Sequence, residues 1–562
     1  MNSYEIARAI AFVTRVRDRF RCVVPFAESD AHWKMVSYLV LRHMEQRTVT
    51  LTELVQVSEL PYATAHRRIA EYFEAGRFEK RNVADQQRRF EIVPSKDLLA
   101  DFVDFARAVK LELVQAGAEH CLPDAELYFL GGEHQANALN VEQTRALKSI
   151  EGVEDARFLL HGDNYFRSVR HVWTDHRRRV GTFDNFTLLT LNELHDELVI
   201  NARLPVSRYS IVAVNVPWLG EFWKSGALLD LKPLLDTQRG LPASFEGQIW
   251  DLGSSSGHQC GMPAYATAQV MAARRDWLDK HELKAPATFD DVVRFGKAFH
   301  RPGEGRFGIV WSGRAGVDIA QMFLSVVGCC GAPIFDFSQI RGGFEKKDLN
   351  AGKLIALIDS YAAVTAIEYM RELLEISAPG VPNFSWQDSL SLFMQGRVAM
   401  TYVWSIHATR FEMDIDSTVK RKVTYLQIPA HRKGRSTTPL GGFVLAIPAN
   451  QPSSRIHTAL KILAWMASPD AATARNRDGL PLSPLFSLNG DPAARASHQI
   501  YDLVRSLSQK HLLNVWQRPA TPEYAKIETI LGEEVHRAVF GSKPVKDALV
   551  DASRRVRSVA AS

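Results

Sequence analysis

Aromatic rings and hydrogen-bonding side chains recur through the chain from about residue 130 onward, and together they could bind a sugar. A sugar has apolar faces that lie against aromatic rings and hydroxyls that need well-placed hydrogen-bonding groups. The rings available for stacking are Trp218, Tyr265, Trp311, Trp386 and Trp404, and the groups available for hydroxyls are Asn215, Glu133, Asp163 and Arg314. Because the chain holds 11 Trp, each of these rings could equally pack in a core.

A second set of residues could contact nucleic acid. Residues 50–58 predict a short helix with Thr50 or Thr52 as its N-cap, and residues 59–61 predict a turn before a second helix that begins near Tyr62. After Gly76 ends that helix, a predicted β hairpin carries a basic tip. Outward side chains on such a helix can reach bases, and a basic tip can neutralise phosphates. The predicted DNA contacts are Tyr62, Thr64, His66, Arg67, Arg68, Arg88 and Arg89.

Charge alone does not establish DNA binding. Residues 62–93 hold seven Lys and Arg against five Asp and Glu, and the net charge of the whole chain is only +5. Helix-turn-helix geometry also occurs in helical domains that never touch DNA. The order of helix, turn, amphipathic helix, Gly and basic hairpin is more specific than the charge, and it favours DNA binding.

Residues 30–95 resemble winged helix-turn-helix regulators of the MarR-like kind. Such proteins usually bind DNA as dimers, so the resemblance implies a homodimer. The amphipathic helices expected at 3–21 and 97–117 could form the dimer contact, or they could pack on their own domain.

Length and composition predict a soluble protein with two or three cores. The chain has 562 residues, 46% of them apolar and 23% charged. Its five Cys, with Cys329 and Cys330 adjacent, fit reduced thiols better than disulfides. Arginines interrupt the apolar face of the first 20 residues, and there is no run of about 18 apolar residues, so we expect no signal peptide, no membrane span and a cytoplasmic location.

Beyond residue 125, short apolar strands alternate with helices, at 126–132, 209–218, 307–311 and 441–448. This rhythm predicts an α/β fold. The segments YSIVAVNVPWLGEFWKSGALLDL, GMPAYATAQVMAARRDWLDK, FMQGRVAMTYVWS and GGFVLAIPANQ resemble ABC-importer solute-binding proteins of the maltose-binding type, in that family's order across about 126–545. The resemblance implies that Asn215 and Trp218 approach the ligand from the first lobe and that Tyr402 and Trp404 face the sugar.

The predicted fold is therefore multidomain, with a small α+β winged helix-turn-helix domain followed by a two-lobed α/β domain of the periplasmic-binding-protein type 2 class. We place the first domain at 1–96, a linker or dimerisation helix at 97–124 and the solute-binding domain at 125–562. Lobe one is expected at about 125–235 and 440–490, lobe two at 236–435 and C-terminal helices at 495–557. The predicted ligand-binding set is Asn215, Trp218, Tyr265, Trp311, Arg314, Tyr402, Trp404 and Gly442.

These features predict a cytoplasmic transcription regulator that senses a small carbohydrate and binds double-stranded DNA. No Walker loop, zinc spacing or dinucleotide fingerprint is present, so we expect no catalysis, cofactor or metal. Three alternatives stay open. One is a substrate-binding protein of an ABC sugar transporter, the second is a ligand-independent DNA-binding scaffold, and the third, suggested by the His- and Arg-rich segment 161–179, is an anionic or phosphorylated sugar as the ligand.

Overall fold

The computed structural model describes most of the chain in two units. The described residues are 12–20, 30–45, 47–82, 90–118, 150, 152–163, 165–167, 169–170, 185–235, 247–340, 343–344, 355–408, 410–414, 416–431, 436–467 and 499–560. The chain divides into Met1–Val141 and Glu142–Ser562. The predicted boundary at 124/125 and the predicted strand at 126–132 lie outside the described residues, so both stay predictions.

The first unit contains helices followed by a hairpin. A helix over 12–20 precedes α1 (Asp30–Met44), α2 (Leu51–Ser58), α3 (Tyr62–Glu74), β1 (Phe78–Asn82), β2 (Phe90–Pro94) and α4 (Lys96–Ala118). A capping box starts α2, because the Thr50 side chain accepts the Glu53 N–H while the Glu53 carboxylate accepts the Thr50 N–H. The elements follow the predicted order of helix, turn, helix and hairpin.

The core of the first unit is built on the apolar stripe of α3. Ala65, Ile69 and Tyr72 are buried, the Tyr72 ring stacks on Phe78 at 4.5 Å, and the Tyr72 hydroxyl lies 2.7 Å from His32 Nδ1. Both side chains are buried, and this contact gives the polar group of each a hydrogen-bond partner.

Nine strands of the second unit form one mixed sheet. They are β3 (Phe158–His161), β4 (Phe186–Leu189), β5 (Ile211–Asn215), β6 (Met262–Arg274), β7 (Phe307–Val310), β8 (Val398–Trp404), β9 (Val423–Leu426), β10 (Thr438–Ala446) and β11 (Leu513–Asn514). Their order is β4-β3-β5-β10-β6-β8-β7, with β9 on β6 and β11 on β10. Two small pairs of strands, 254–255 with 258–259 and 339–340 with 343–344, lie outside this sheet.

Two long strands connect two lobes. The first residues of β6 pair with β10, which also pairs with β5, whereas Gln269–Arg274 pair with β8 and β9. The sheet over β4, β3 and β5 therefore forms lobe one, and the sheet over β8, β7 and β9 forms lobe two. Where β10 passes β6, Gly442 has φ +136°, and a Cβ there would lie 2.1 Å from the Tyr265 carbonyl oxygen. Only glycine fits this crossing.

The helices cover the sheet and supply its flanks. The longer ones are α5 (Leu191–Ala202), α6 (Leu219–Lys224), α7 (Arg275–Lys280), α8 (Phe289–Phe299), α9 (Val317–Cys329), α10 (Tyr361–Leu374), α11 (Trp386–Met394), α12 (Ser453–Met466), α13 (Ile500–Gln509), α14 (Tyr524–Val539) and α15 (Val545–Ala560). Four-residue helices occupy Lys232–Leu235, Gly247–Trp250, Ser405–Ala408 and Arg410–Met413. Within the described ranges, no helix is both long enough and apolar enough to cross a membrane.

Candidate ligand cleft

A cleft of about 950 Å³ opens between the two lobes of the second unit. Its lobe-one wall follows the end of β3, the start of α5 and the start of α6. Its lobe-two wall is formed by the start of α9, the start of α11 and the end of β8, while α14 closes one side. The main lining side chains are His161, Arg167, Glu193, His195, Trp218 and Glu221 from lobe one; Arg314, Asp318, Trp386, Tyr402, Trp404 and His407 from lobe two; and Gln269, Lys526 and Glu528 from the crossing strand and α14.

Two tryptophans of lobe two present open ring surface to the cleft. Trp386 and Trp404 are half-buried, whereas Trp218 is only 4% exposed and Tyr402 only 7%. The Trp386 ring stacks on His407, with centroids 4.1 Å apart and planes 9° apart. The guanidinium carbon of Arg518 lies 5.4 Å from the Trp404 ring centroid. Since each ring is covered on one side, each can offer the other side to a ligand.

The lobe-one wall carries two His-carboxylate pairs. His195 Nε2 lies 3.0 Å from Glu221 Oε2, and the His195 ring meets the Trp218 ring edge-on at 4.9 Å. His161 Nδ1 lies 3.0 Å from Asp163 Oδ2, which also accepts the Tyr265 hydroxyl. Burial alone would raise the pKa of Asp163, but the hydrogen bonds and charge of these partners lower it. The wall therefore holds fixed hydrogen-bonding groups beside an aromatic edge.

On the lobe-two wall, Asp318 holds the backbone of Trp386 in place. One Asp318 oxygen accepts the Trp386 backbone N–H at 3.1 Å, and the other pairs with Arg314 at 2.8 Å. Burial raises the pKa of Asp318 although Arg314 opposes this. The Arg314 charge is therefore largely balanced within its own wall.

Four of the eight predicted ligand-binding residues line the cleft, namely Trp218, Arg314, Tyr402 and Trp404. The other four lie elsewhere. Asn215 ends β5 in the buried sheet, Tyr265 is hydrogen-bonded to Asp163 beneath the wall, Gly442 occupies the strand crossing, and Trp311 is completely buried against Phe540. Their backbones are held by sheet pairing or core packing, so the geometry places them behind the surface that a solute would touch.

Several lining groups are absent from the predicted set. Glu221, His195 and Gln269 come from lobe one and the crossing strand, and Lys526 and Glu528 come from a helix near the C-terminus. Glu221 and Gln269 lie inside two of the segments quoted above, whereas His195, Lys526 and Glu528 lie outside those segments. None of the five has a local sequence signal that marks it as a cleft residue. Trp386, one of the rings that the sequence offers for stacking, also lines the cleft, at the start of α11 directly after the Ser385 N-cap.

The predicted DNA contacts remain a prediction. In the first unit, Tyr62, His66 and Arg67 are exposed on α3, Thr64 and Arg68 are half-buried, and both arginines approach Glu71. Arg88 and Arg89 lie outside the described residues. The predicted homodimer depended on the family resemblance of this unit alone and is likewise untested.

Burial of His407 predicts an acid-sensitive stability. Desolvation lowers the pKa of His407 to about 3 from its usual 6.5. Between these values the unfolded chain binds a proton that the folded chain does not, so unfolding becomes easier as pH falls. The expected contribution is about 1.4 kcal/mol per pH unit. Urea unfolding at pH 7, 6, 5 and 4 should therefore show a shallower decline for His407→Phe, which retains a ring to stack on Trp386.

His407→Gln separates titration from stacking. Neither replacement titrates, but only Phe preserves the ring contact. Both variants should therefore flatten the decline of stability with acid, and Gln should also lower stability at pH 7. A decline as steep as that of the unsubstituted protein in both variants would contradict a neutral buried His407.

Comparisons with known proteins match the second unit. Residues 207–473 match a family described as bacterial extracellular solute-binding protein. A mannitol-binding protein of Pseudomonas aeruginosa is 25% identical over 284 residues, which are 48% of this chain and 59% of that protein. The chain thus spans less than two thirds of that relative.

Solved structures share the fold. An ABC transporter solute-binding protein from Agrobacterium radiobacter, in complex with ribitol, superposes with a TM-score of 0.64 at 22% identity, covering 72% of this chain and 98% of that one. Maltose-bound MalE3 of T. maritima gives a TM-score of 0.62 at 20% identity, covering 72% and 99%.

These findings correct the predicted function and location. The prediction of a cytoplasmic transcription regulator is wrong, because the matches are with extracellular solute-binding proteins of ABC transporters, the first alternative that the sequence left open. The predicted α/β fold of the solute-binding domain is confirmed, whereas the winged helix-turn-helix assignment has no such support. The second unit has the two-lobed periplasmic-binding-protein fold, and its residues 207–473 match the bacterial extracellular solute-binding protein family.

Proposed function

We propose that the second unit binds a neutral polyhydroxylated solute, a sugar or sugar alcohol, as the solute-binding component of an ABC transporter. The observation that carries this proposal is the cleft between the lobes, where open faces of Trp386 and Trp404 stand opposite hydrogen-bonding groups of lobe one. Aromatic faces suit the C–H surfaces of a polyol, and carboxylates and imidazoles suit its hydroxyls. A relative named as a mannitol-binding protein and a solved structure of similar fold in complex with ribitol support the same class.

The charges of the cleft favour a neutral solute over a phosphorylated one. Among the described lining residues there are five carboxylates and three permanently basic groups. They are Glu193, Asp196, Glu221, Asp318 and Glu528 against Arg167, Arg314 and Lys526. One of those basic groups, Arg314, is already paired with Asp318. A phosphate entering this cleft would lose hydration and meet repulsion with few free cations to compensate.

Binding between the lobes gives the solute a means of changing the shape of the unit. A solute that touches both walls makes more contacts when the lobes are close than when they are apart, so it favours the closed form. The two crossing strands β6 and β10 are the links about which such closure would occur. In this proposal the transporter recognises the closed, loaded unit.

A thermal-shift series on the full chain tests the solute class. Mannitol, ribitol and maltose are compared with mannitol 1-phosphate, because the last differs from the first only by its phosphate group. A solute present at 100 times its Kd stabilises the folded state by about 2.7 kcal/mol. We expect at least one neutral compound to raise the melting temperature and the phosphate to have little effect.

Calorimetric titration then measures the affinity and stoichiometry of any compound that stabilises the protein. A one-to-one complex with a neutral polyol supports the proposal. Stabilisation by mannitol 1-phosphate and by none of the neutral compounds would mean that the cleft binds an anionic solute. The lack of any response to a broad set of sugars and sugar alcohols would overturn the proposed function.

A further inference from the structure

Trp404 lies where three separate segments of the second unit meet. The ring extends from the end of β8, Gly441 belongs to the crossing strand β10, and Arg518 follows β11 near the C-terminus. A Cβ at Gly441 would lie 3.2 Å from Trp404 Cζ3 and 3.1 Å from Arg518 Nη1. Glycine at this point therefore lets the ring and the guanidinium approach the strand closely.

Arg518 is a buried cation held by a small polar network. It is 5% exposed, its Nε donates to the Tyr524 hydroxyl at 3.1 Å, and its Nη2 lies 3.5 Å from Glu528 Oε1. The Tyr524 hydroxyl donates to the same Glu528 oxygen at 2.9 Å. Burial raises the pKa of Glu528, and the nearby Arg518 opposes the rise. The network fixes the guanidinium beside Trp404, since a buried charge needs satisfied partners.

We propose that Arg518 is a positioning residue for Trp404, holding the ring so that its open face meets the solute. The effect on solute affinity rests on the proposed function, whereas the effect on the ring does not. A guanidinium near an aromatic face is attracted to it, and the attraction strengthens when water is excluded. Glu528, which anchors Arg518, also lines the cleft, so one network reaches both the ring and the polar wall.

The alternative is that the buried pair only stabilises the fold. A purely structural role would lower the melting temperature or the fraction of protein able to bind, without changing the environment of the Trp404 ring. The spectroscopic signal of Trp404 therefore distinguishes the two, and it requires no solute.

The fluorescence emission of Trp404 is obtained by difference: the emission of each protein's Trp404→Phe counterpart is subtracted from that of the protein itself. Glu528→Gln is the reference background, because it removes the charge that Arg518→Met would leave unpaired. Adding Arg518→Met to this background should change the Trp404 emission and increase its quenching by acrylamide. Arg518→Lys in the same background keeps a cation and should restore most of the original signal.

Mannitol and ribitol provide the second measurement. Removing Arg518 should weaken their binding about tenfold, the effect of a lost contact of about 1.4 kcal/mol. The loss should vanish when Trp404 is already Phe or Ala, because Arg518 acts through that ring. An equal loss with and without Trp404 would overturn the proposal.

The outcomes separate this inference from the proposed function. If Arg518→Met alters Trp404 emission and quenching but neither polyol binds to any variant, the positioning of the ring stands, and mannitol and ribitol are excluded as the solute. If the Trp404 signal is unchanged by Arg518→Met, the positioning role is overturned whatever the polyols do. A change of the Trp404 signal in Arg518→Lys as large as that in Arg518→Met would also overturn it, since the cation would then be irrelevant.

Discussion

Trp404→Ala should weaken binding of a sugar alcohol by about 2 to 3 kcal/mol, roughly 30- to 150-fold in Kd. A large aromatic side chain buries 150–250 Å² in all, and about half of that belongs to one ring face. One side of Trp404 is covered by Arg518, so the ligand can cover only the remaining face. Calorimetric titration with the polyol that stabilises the protein measures the change.

Trp277→Ala is the matched control for this experiment. Trp277 is also half-buried and also has a guanidinium over its ring, that of Arg274 at 4.5 Å, but it stacks on Phe299 outside the cleft lining. The substitution should lower stability while leaving polyol affinity unchanged. Equal affinities for Trp404→Ala and the unsubstituted protein would remove Trp404 from the site.

The strands of the second unit could be predicted from the sequence, because a strand that is buried on both faces consists of a continuous run of apolar residues. Such runs at 209–218, 307–311 and 441–448 correspond to β5, β7 and β10. The order in which these strands pair could not be predicted from the sequence. The long strand β6 pairs with β10 along one half and with β8 and β9 along the other, and these partners lie more than 120 residues away in sequence.

The site was only partly predictable because side-chain direction depends on that pairing. Trp311 and Trp404 both come at the end of an apolar strand, and local sequence does not separate them. In the fold, Phe540 and Ser377 enclose Trp311, whereas Gly441 leaves space beside Trp404. Glu528 joins the cleft only because α14 packs against α9, a contact between elements about 200 residues apart.

The functional prediction failed for a different reason. It gave most weight to the order of short elements in residues 30–95, which many helical domains can share. The signal over 207–473 is longer and combines strands, helix starts and glycines in one order, so it constrains function more strongly. A polar helix face with both arginines near Glu71 is compatible with solvent exposure alone.

Trp311→Ala should destabilise the second unit by about 3 to 5 kcal/mol, the usual loss when a buried tryptophan is truncated to leave a cavity. Trp311 has 0% exposure, stacks on Phe540 with planes 8° apart and donates its Nε1–H to Ser377 Oγ at 3.0 Å. Trp311→Phe retains most of the volume and should cost much less, because Ser377 still donates to the Leu373 carbonyl at 2.7 Å.

Urea unfolding followed by loss of polyol binding measures this change in the second unit, because binding requires that unit to be folded. The fraction of Trp311→Ala that remains folded without urea should bind the polyol with unchanged Kd, since the ring lies behind the cleft wall. Trp404→Ala should give the reverse pattern, with weak binding and a small loss of stability. A raised Kd at nearly full stability for Trp311→Ala would instead mean that this ring reaches the solute, in line with its place in the predicted ligand-binding set.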